Sequence, residues 1–585
     1  MATAPLASRA LLAATRLVAL PAARRASTHH SRNARLALSA AGFAPADASP
    51  APARGAPRRG GGRASGRGGG RGGRGASRSS DVAQVKRRPR QFSDAQRASI
   101  DALQALADAR AAPLCVLVKG KANLFLDGAP IVYGGAVASV IGNPQLADPV
   151  IVVDHANAVV GWGTYNPHSM YRVRVLEMAW EVEVVRNPSD VTKTAVRCDV
   201  GEVIKRRVRK AFEMRRDVFP DWFEKNESDN VNTTTTYRLF NAEGDRLSGA
   251  CCDVYKDRRT NVAFAVLSSS SAWTQKYQKE MIEALGSEAN VDVVVWRVDE
   301  KMLKLETGAA EWVAEKRRGD DTEAEEEEDD DDDDEKVSSS AEEGEYATKI
   351  FDAKTGALTS LPSDGEPLVV VENGVSYEVD LALGHKTGFY VDQRENRLSM
   401  RGWAAGKNKV LDVCTYTGGF AINAAMAGAS SVVGVDSSQP ALDIAKRNAA
   451  RNGVASNCTF VKAEAFKHLD WLLEEGHAGS YDVIILDPPK LAPNAKSLTR
   501  ALPKYVGLNK RAMQLLRPGG LLVTCSCSGA VTQNNLLPDV VLAAAQSAGT
   551  SATALGAPRG AGADQPLDPF YPEGNYLTVC VYRIG

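Results

Sequence analysis

The chain has 585 residues, with Lys+Arg and Asp+Glu balanced at 71 each, room for about three or four domains with ample core. No apolar run reaches the ~18 residues needed to span a membrane. Its nine cysteines, several inside expected strands, do not form a disulfide framework. The neutral balance conceals segregation: residues 1–80 are rich in Arg with one acid, Asp47, and residues 320–335 are almost wholly acidic.

The N-terminus, MATAPLASRALLAATRLVALPAARRAS, is rich in Ala, Leu and Arg and carries no acid. Arg9 and Arg16 fall on one helical face. This is the pattern of an organellar transit peptide, and the Met-Ala start and the alanine content favour chloroplast stroma over mitochondrial matrix. The Gly/Arg tract that follows cannot bury a core, so 1–112 is expected to be targeting peptide and disordered segment. The tract is either a spacer or a holder of RNA phosphates.

From Pro113 short strands alternate with glycine turns. Val150–Val153 and Val159–Trp162 flank an Asp-His-Ala-Asn turn, and Tyr171–Leu176 alternates with Arg172 and Arg174. A small β-barrel over 113–190 is expected. Its G-x-Y-N-P-x-S-x-Y-R-V-R run resembles a PUA-like RNA-binding domain. His168, Arg172 and Arg174 either meet phosphate there or are solvated on the outer face. An α+β middle domain is expected over 191–315. It carries the basic amphipathic helix GEVIKRRVRKAFEMRRDVF, two strands around an Asp-Arg-Arg turn, the helix WTQKYQKEMIEAL and the strand VDVVVWRVD. Residues 316–365 hold the run DDTEAEEEEDDDDDDE, which charge repulsion keeps disordered. We expect a loop insertion, inert or folded over a basic RNA face.

The remainder, 366–585, is the most informative stretch. KVLDVCTYTGGFAINAAMAG reads as strand, glycine turn and small-residue helix, so that backbone amides approach a ligand at a helix N-terminus. A second apolar strand ends on Asp436, about 20 residues past the turn, where a carboxylate can accept from ribose hydroxyls. The turn Thr417-Gly418-Gly419 is not G-x-G-x-x-G, which weakens a dinucleotide reading. The order of acids, Asp412, Asp436 and Glu464, resembles class I S-adenosylmethionine-dependent methyltransferases. That resemblance implies that Asp412 and the glycines hold the methionine end, Asp436 the ribose and Glu464 the adenine. The fold class is then α/β, a doubly wound sheet preceded by the PUA-like barrel and the α+β domain.

GHKTGFYVDQRENR, TYTGGF, DPPK and SCSG together resemble the bacterial large-subunit ribosomal RNA cytosine-5 methyltransferase family with an N-terminal PUA domain. The resemblance covers about 113–585 without the acidic insertion. It implies cofactor contacts from Gln393 and Arg394, a nucleophile at Cys527, and Asp487 bonding the base edge beside the cofactor. Carbon 5 of cytosine is a poor nucleophile, and a thiolate added to carbon 6 makes it electron-rich. Such a thiolate needs positive potential, for which Lys490, Lys386 and Arg394 are candidates. Cys525 is expected as a bystander facing the same side as Cys527. Many other RNA cytosine-5 methyltransferases carry a second cysteine after the proline of the motif that reads DPPK here; in this chain that position is Pro489-Lys490, so the base that takes the carbon 5 proton is unassigned. The fourth residue of the Asp-Pro-Pro motif is Lys490 rather than an aromatic, which favours carbon over amine methylation. The expected partner is large-subunit ribosomal RNA, held by Arg172, Arg174 and Lys490, with no membrane, no metal and a possible homodimer. Two alternatives stay open: an exocyclic-amine methyltransferase on guanine or adenine, and a non-catalytic ribosome-assembly RNA-binding protein.

Overall fold

The computed structural model describes residues 90–585 except 188–189, 197, 224–233, 309–345, 362–365, 382–383 and 385. The N-terminal leader, the Gly/Arg tract and the acidic run therefore lie outside the described residues.

Order begins earlier than Pro113. Asp94–Asp108 is a helix opened by a capping box: Ser93 accepts from the Gln96 amide, and the Gln96 side chain accepts from the Ser93 amide. That reciprocal pair satisfies two donors that a helix start leaves orphaned. Leu103 and Ala107 on its inner face join the core of the barrel. The expectation of a structureless segment up to residue 112 is corrected at this helix.

Six strands follow: β1 (Leu114–Leu117), β2 (Ile131–Tyr133), β3 (Val137–Ile141), β4 (Pro149–Val153), β5 (Val159–Tyr165) and β6 (Tyr171–Met178). They form one sheet in the order β2-β6-β5-β4-β1-β3. Its β5–β6 pair closes so tightly that a Cβ at Gly163 would overlap the Arg174 carbonyl, which requires glycine there. A hairpin, β7 (Val184–Asn187) with β8 (Asp190–Val196), leads into the basic helix Val200–Val218.

The middle sheet contains β9 (Thr236–Asn241), β10 (Ala250–Lys256), β11 (Ala263–Ser269), β12 (Val293–Asp299) and β13 (Tyr346–Asp352), in the order β13-β12-β11-β10-β9. Period-two alternation splits its side chains between two cores. Val294, Trp296 and Val298 face the barrel and the helices, sharing one cluster with Ile151, Trp162 and Leu176. Val293 and Val295 face the C-terminal domain. Barrel and middle domain thus share a core, and β13 returns to the middle sheet beyond the acidic run. The segment 316–365, expected as an acidic insertion throughout, contains this edge strand of the middle sheet.

A short hairpin, β14 (Leu368–Glu372) and β15 (Val375–Val379), precedes the C-terminal sheet of β16 (Lys409–Val413), β17 (Ser431–Asp436), β18 (Cys458–Lys462), β19 (Tyr481–Leu486), β20 (Leu516–Ser526), β21 (Ala552–Ala554) and β22 (Thr578–Ile584). Their order is β18-β17-β16-β19-β20-β22-β21, parallel except at β22 and β21. Helices Arg394–Ala404, Gly419–Met426 and Gln439–Arg451 supply one core face; Ala465–Glu474, Leu498–Leu515 and Leu537–Ala548 supply the other. The strand order reverses between β16 and β19, so their carboxyl ends open a crevice of the kind where such sheets bind ligands. Among the described residues, no helix is long and apolar enough to cross a membrane, and no group of three or more His, Cys, Asp or Glu could hold a metal ion.

Candidate active site

The crevice is built on the turn after β16. Cys414, Tyr416 and Gly418 all have left-handed φ, at 64°, 52° and 85°. Two non-glycine residues held there store strain, which persists where a surrounding structure over-determines it. Asp412 fixes the turn: Oδ2 accepts from the Thr415 hydroxyl at 2.5 Å and from the Ala421 amide at 2.9 Å. Asp436, at the end of β17, accepts from the Tyr416 amide at 2.8 Å and the Ser438 amide at 2.9 Å. Asp487, one residue past β19, is tied to β16 through its amide on the Val413 carbonyl at 3.2 Å.

These acids lie close enough to act together on the Cys414 thiol. Burial first, then Asp436, Asp487, Asp412 and Glu464, push that thiol well above its usual range. Burial raises Asp412 to about 7 against its two hydrogen bonds, with Asp487 and Asp436 adding to the rise. Burial and Asp392 raise Asp487 to about 6, against Lys386, Gln393 and Arg397. Asp412 Oδ1 and Thr417 Oγ1 are buried with no hydrogen-bond partner. A cleft of unneutralised carboxylates with orphaned polar atoms fits a ligand that brings positive charge and donors. S-adenosylmethionine, with its sulfonium and ammonium groups, meets that requirement, and Asp412 and Thr417 carry the unpaired atoms it would meet.

Gln393 sits behind Asp487. Its amide nitrogen donates to Asp487 Oδ2 at 3.0 Å, and its oxygen accepts from Asn396 at 2.8 Å. Glu464 accepts from the Lys467 amide at 2.9 Å and caps the helix Ala465–Glu474. Gly418 and Gly419 open the helix Gly419–Met426 at the crevice floor.

Cys527 follows the last residue of β20, and its Sγ lies 4.0 Å from the Pro488 carbonyl oxygen. It is partly exposed, whereas Cys525 is sealed in the core; both belong to the same face of the sheet. Burial pushes the Cys527 thiol up to about 11; Lys386 and Lys490 pull it down, while Asp487 and Asp392 push it up. Lys386 reaches Asp392 at 2.5 Å and lies 4.4 Å from the Tyr390 ring centre. Tyr576 donates to the same Asp392 oxygen at 2.6 Å. Tyr576 escaped the sequence reading. Asp392 adjoins Gln393 in the GHKTGFYVDQRENR run, but Tyr576 lies in a C-terminal segment with no periodicity to flag it.

Two expectations are corrected. Arg394 is fully buried, bidentate on Asp564 at 2.6 and 2.9 Å, with its guanidinium 4.2 Å from the Trp222 ring centre. It joins the C-terminal segment to the middle domain and is not free for a cofactor or for Cys527. Arg174 is buried against Glu306 at 2.8 Å and Ser248 at 2.6 Å. The helix Glu300–Thr307 covers the face of β6 that was expected to meet solvent or phosphate. Arg172 is half-buried and donates to the carbonyls of Asn166 and Pro167. His168 and Lys490 are exposed.

Comparison with known proteins adds the relatives. The profile of the S-adenosylmethionine-dependent methyltransferase family matches residues 356–550, and that of the PUA-like domain matches residues 116–177. Ribosomal RNA large subunit methyltransferase I of Enterobacter sp. (strain 638) is 33% identical over 471 residues, 80% of this chain and 98% of the relative. The protein of the same name from Salmonella enteritidis PT4 is 32% identical over 477 residues, 81% of this chain and 98% of the relative. A solved protein of Streptococcus mutans described as a SAM-dependent methyltransferase covers 80% of this chain and 99% of its own, with TM-score 0.56 and 17% identity. A methyltransferase solved in complex with SAH has TM-score 0.57 and 18% identity over the same shares. At such identity these two establish the fold alone. With the matching family profile and the fit of the carboxylate cleft, S-adenosylmethionine is the cofactor.

Proposed function

The chain belongs to the ribosomal RNA large subunit methyltransferase I family, and from that premise we propose that it methylates carbon 5 of a cytosine in large-subunit ribosomal RNA through a covalent bond from Cys527. S-adenosylmethionine would supply the electrophilic methyl group, its sulfur–methyl bond breaking to leave S-adenosylhomocysteine. The Cys527 thiolate adds to carbon 6, and the displaced π pair makes carbon 5 the nucleophile. Once carbon 5 carries the methyl group, a base takes its proton and the carbon–sulfur bond breaks, restoring the ring and the thiolate.

Asp487 is matched to this chemistry. A carboxyl raised to about 6 holds or releases a proton near neutral pH. Proton sharing with the base edge draws electrons toward the ring nitrogen. It also removes the negative charge that raises the Cys527 thiol. Lys386 and Lys490 then act on the sulfur with less opposition. The observation that carries the reading is the partly exposed thiol of residue 527 against the Pro488 carbonyl, beside the carboxylate cleft. The base must leave its stack, or be single-stranded, to reach it. The acid-poor N-terminal leader supports an organellar ribosome as the setting.

Bisulfite sequencing of large-subunit ribosomal RNA treated with the parent chain and with Cys527→Ala tests this. One protected cytosine is expected with the parent and none with the variant, a loss of about a thousandfold or more in rate. Methyl transfer that survives Cys527→Ala, recovered on an exocyclic amine, would assign the amine chemistry instead.

A further inference from the structure

The segments that looked basic in the sequence are largely neutralised inside the molecule. On the helix Val200–Val218, Arg206 pairs with Glu177 and Glu183, Arg207 with Glu181, Arg209 with Glu288 and Arg215 with Asp245. On β6, Arg174 pairs with Glu306. One stretch differs. Between Asp487 and Asp539 the sequence holds no acid, and its first part, PPKLAPNAKSLTRALPK, carries Lys490, Lys496, Arg500 and Lys504. All four side chains are exposed, and among the described residues none has an ion-pair or hydrogen-bond partner.

Their placement follows from the packing beneath them. Tyr505 and Ala501 turn the inner face of the helix Leu498–Leu515 into the core. The Tyr505 hydroxyl meets Ser526 Oγ at 3.0 Å, at the end of β20 next to Cys527. Ser528, just past Cys527, donates to the Ala492 carbonyl and fastens the loop that carries Lys490. Arg500 and Lys504 lie one turn apart on the outer face of that helix, about 6 Å from each other, and Lys496 stands in the short turn Ala495–Ser497 that leads into it. Lys490 stands on the loop between β19 and that turn, two residues before the Ala492 carbonyl to which Ser528 is fastened, and its charge acts on the Cys527 thiol.

We infer that Lys490, Lys496, Arg500 and Lys504 form a track for the phosphodiester backbone of the RNA strand that delivers the target base to Cys527. This rests on the proposed function, because the charge of Lys490 acts on the proposed nucleophile. Unpaired exposed cations hold phosphates without reading sequence and set the register of the strand. An acidic protein surface has no reason to end at that thiol; a nucleic-acid strand with one base turned inward does.

The test compares the parent chain, the neutral variant Lys496→Gln/Arg500→Gln/Lys504→Gln and the charge-keeping variant Lys496→Arg/Arg500→Lys/Lys504→Arg. Binding of a short fluorescent single-stranded RNA is titrated across a salt series, with S-adenosylmethionine binding as the check on folding. The neutral variant is expected to bind at least ten times more weakly at low salt. Its log–log salt slope should shrink by about two, from three lost single-strand phosphate contacts. The charge-keeping variant should match the parent, and all three should bind cofactor alike. Unchanged affinity and slope in the neutral variant, with the parent still methylating RNA, would overturn the track alone. A slope that shrinks as expected while the parent methylates no RNA would support the track and sink the proposed function. A parent that binds no RNA would overturn both.

Discussion

Two sets of buried acids in this molecule have opposite surroundings. At the seam between the middle and C-terminal domains, the buried acids Asp564, Glu372 and Asp253 each have a cation. Arg394 pairs with Asp564, Arg397 with Glu372 and Arg238 with Asp253, at 2.5–2.6 Å. Asp392 belongs to this set: burial opposes its ionisation, yet Lys386 and the Tyr576 hydroxyl hold it at about 2. In the crevice, Asp412 is equally enclosed and Asp487 is half-buried, yet they rise to about 7 and 6. The seam is neutralised by the chain itself and holds domains together. The crevice is left short of positive charge, and a cationic ligand completes it.

The largest expected effect comes from breaking the seam. Arg394→Met leaves the Asp564 carboxylate buried without its cation and should cost about 3–5 kcal/mol in denaturant unfolding. Cofactor affinity should stay near that of the parent. A variant of unchanged stability that lost cofactor affinity would return Arg394 to the pocket.

The second effect is a difference in sign with pH. Asp412 and Asp487 bind protons more tightly folded than unfolded, so their contribution is present below about pH 4. It is lost as pH rises through about 6 and 7. Asp392 is depressed, so its contribution is present above about pH 4 and is lost as pH falls toward 2. Cofactor-free protein should therefore lose stability from pH 4 to pH 7, on the order of 2 kcal/mol from Asp412. Asp412→Asn should flatten that slope and leave the acid limb intact. A pH profile that is the same in Asp412→Asn and the parent would remove the contrast between seam and crevice.

The smallest effect sharpens the same contrast. Asp412→Asn keeps an oxygen for Thr415 and Ala421 but removes the charge. It should weaken S-adenosylmethionine about tenfold in a calorimetric titration. The effect on S-adenosylhomocysteine, which lacks the sulfonium charge, should be smaller. Equal losses for both would show that the carboxylate does not respond to the cation.

The C-terminal sheet was legible because each motif marks a strand's carboxyl end. Gly418, Asp436, Asp487 and Cys527 all fall where the parallel order requires, since a glycine turn or a terminal acid interrupts an apolar run at a fixed place. Other features were hidden by distance along the chain. β13 pairs with β12 across the acidic run, and no local pattern announces that return. Arg174 alternates outward on β6 as a solvated residue would, but the helix Glu300–Thr307 comes from far downstream to cover it. Arg394 lies in a motif beside cofactor-type residues, and its partner Asp564 lies 170 positions away. The helix Asp94–Asp108 was missed for a different reason. Its signal, Ser93 with Gln96, is a single capping pair close behind a long low-complexity tract that cannot fold.

The most direct measurement uses ribosomal RNA carrying 5-fluorocytosine. Fluorine cannot leave carbon 5 as a proton does, so a thiol adduct at carbon 6 stays trapped after methyl transfer. With S-adenosylmethionine present, the parent chain and Cys525→Ala should give a denaturation-resistant protein–RNA complex, and Cys527→Ala should give none. A complex that persists in Cys527→Ala, or ordinary methylation with no trapped complex in the parent, would contradict covalent chemistry at this thiol.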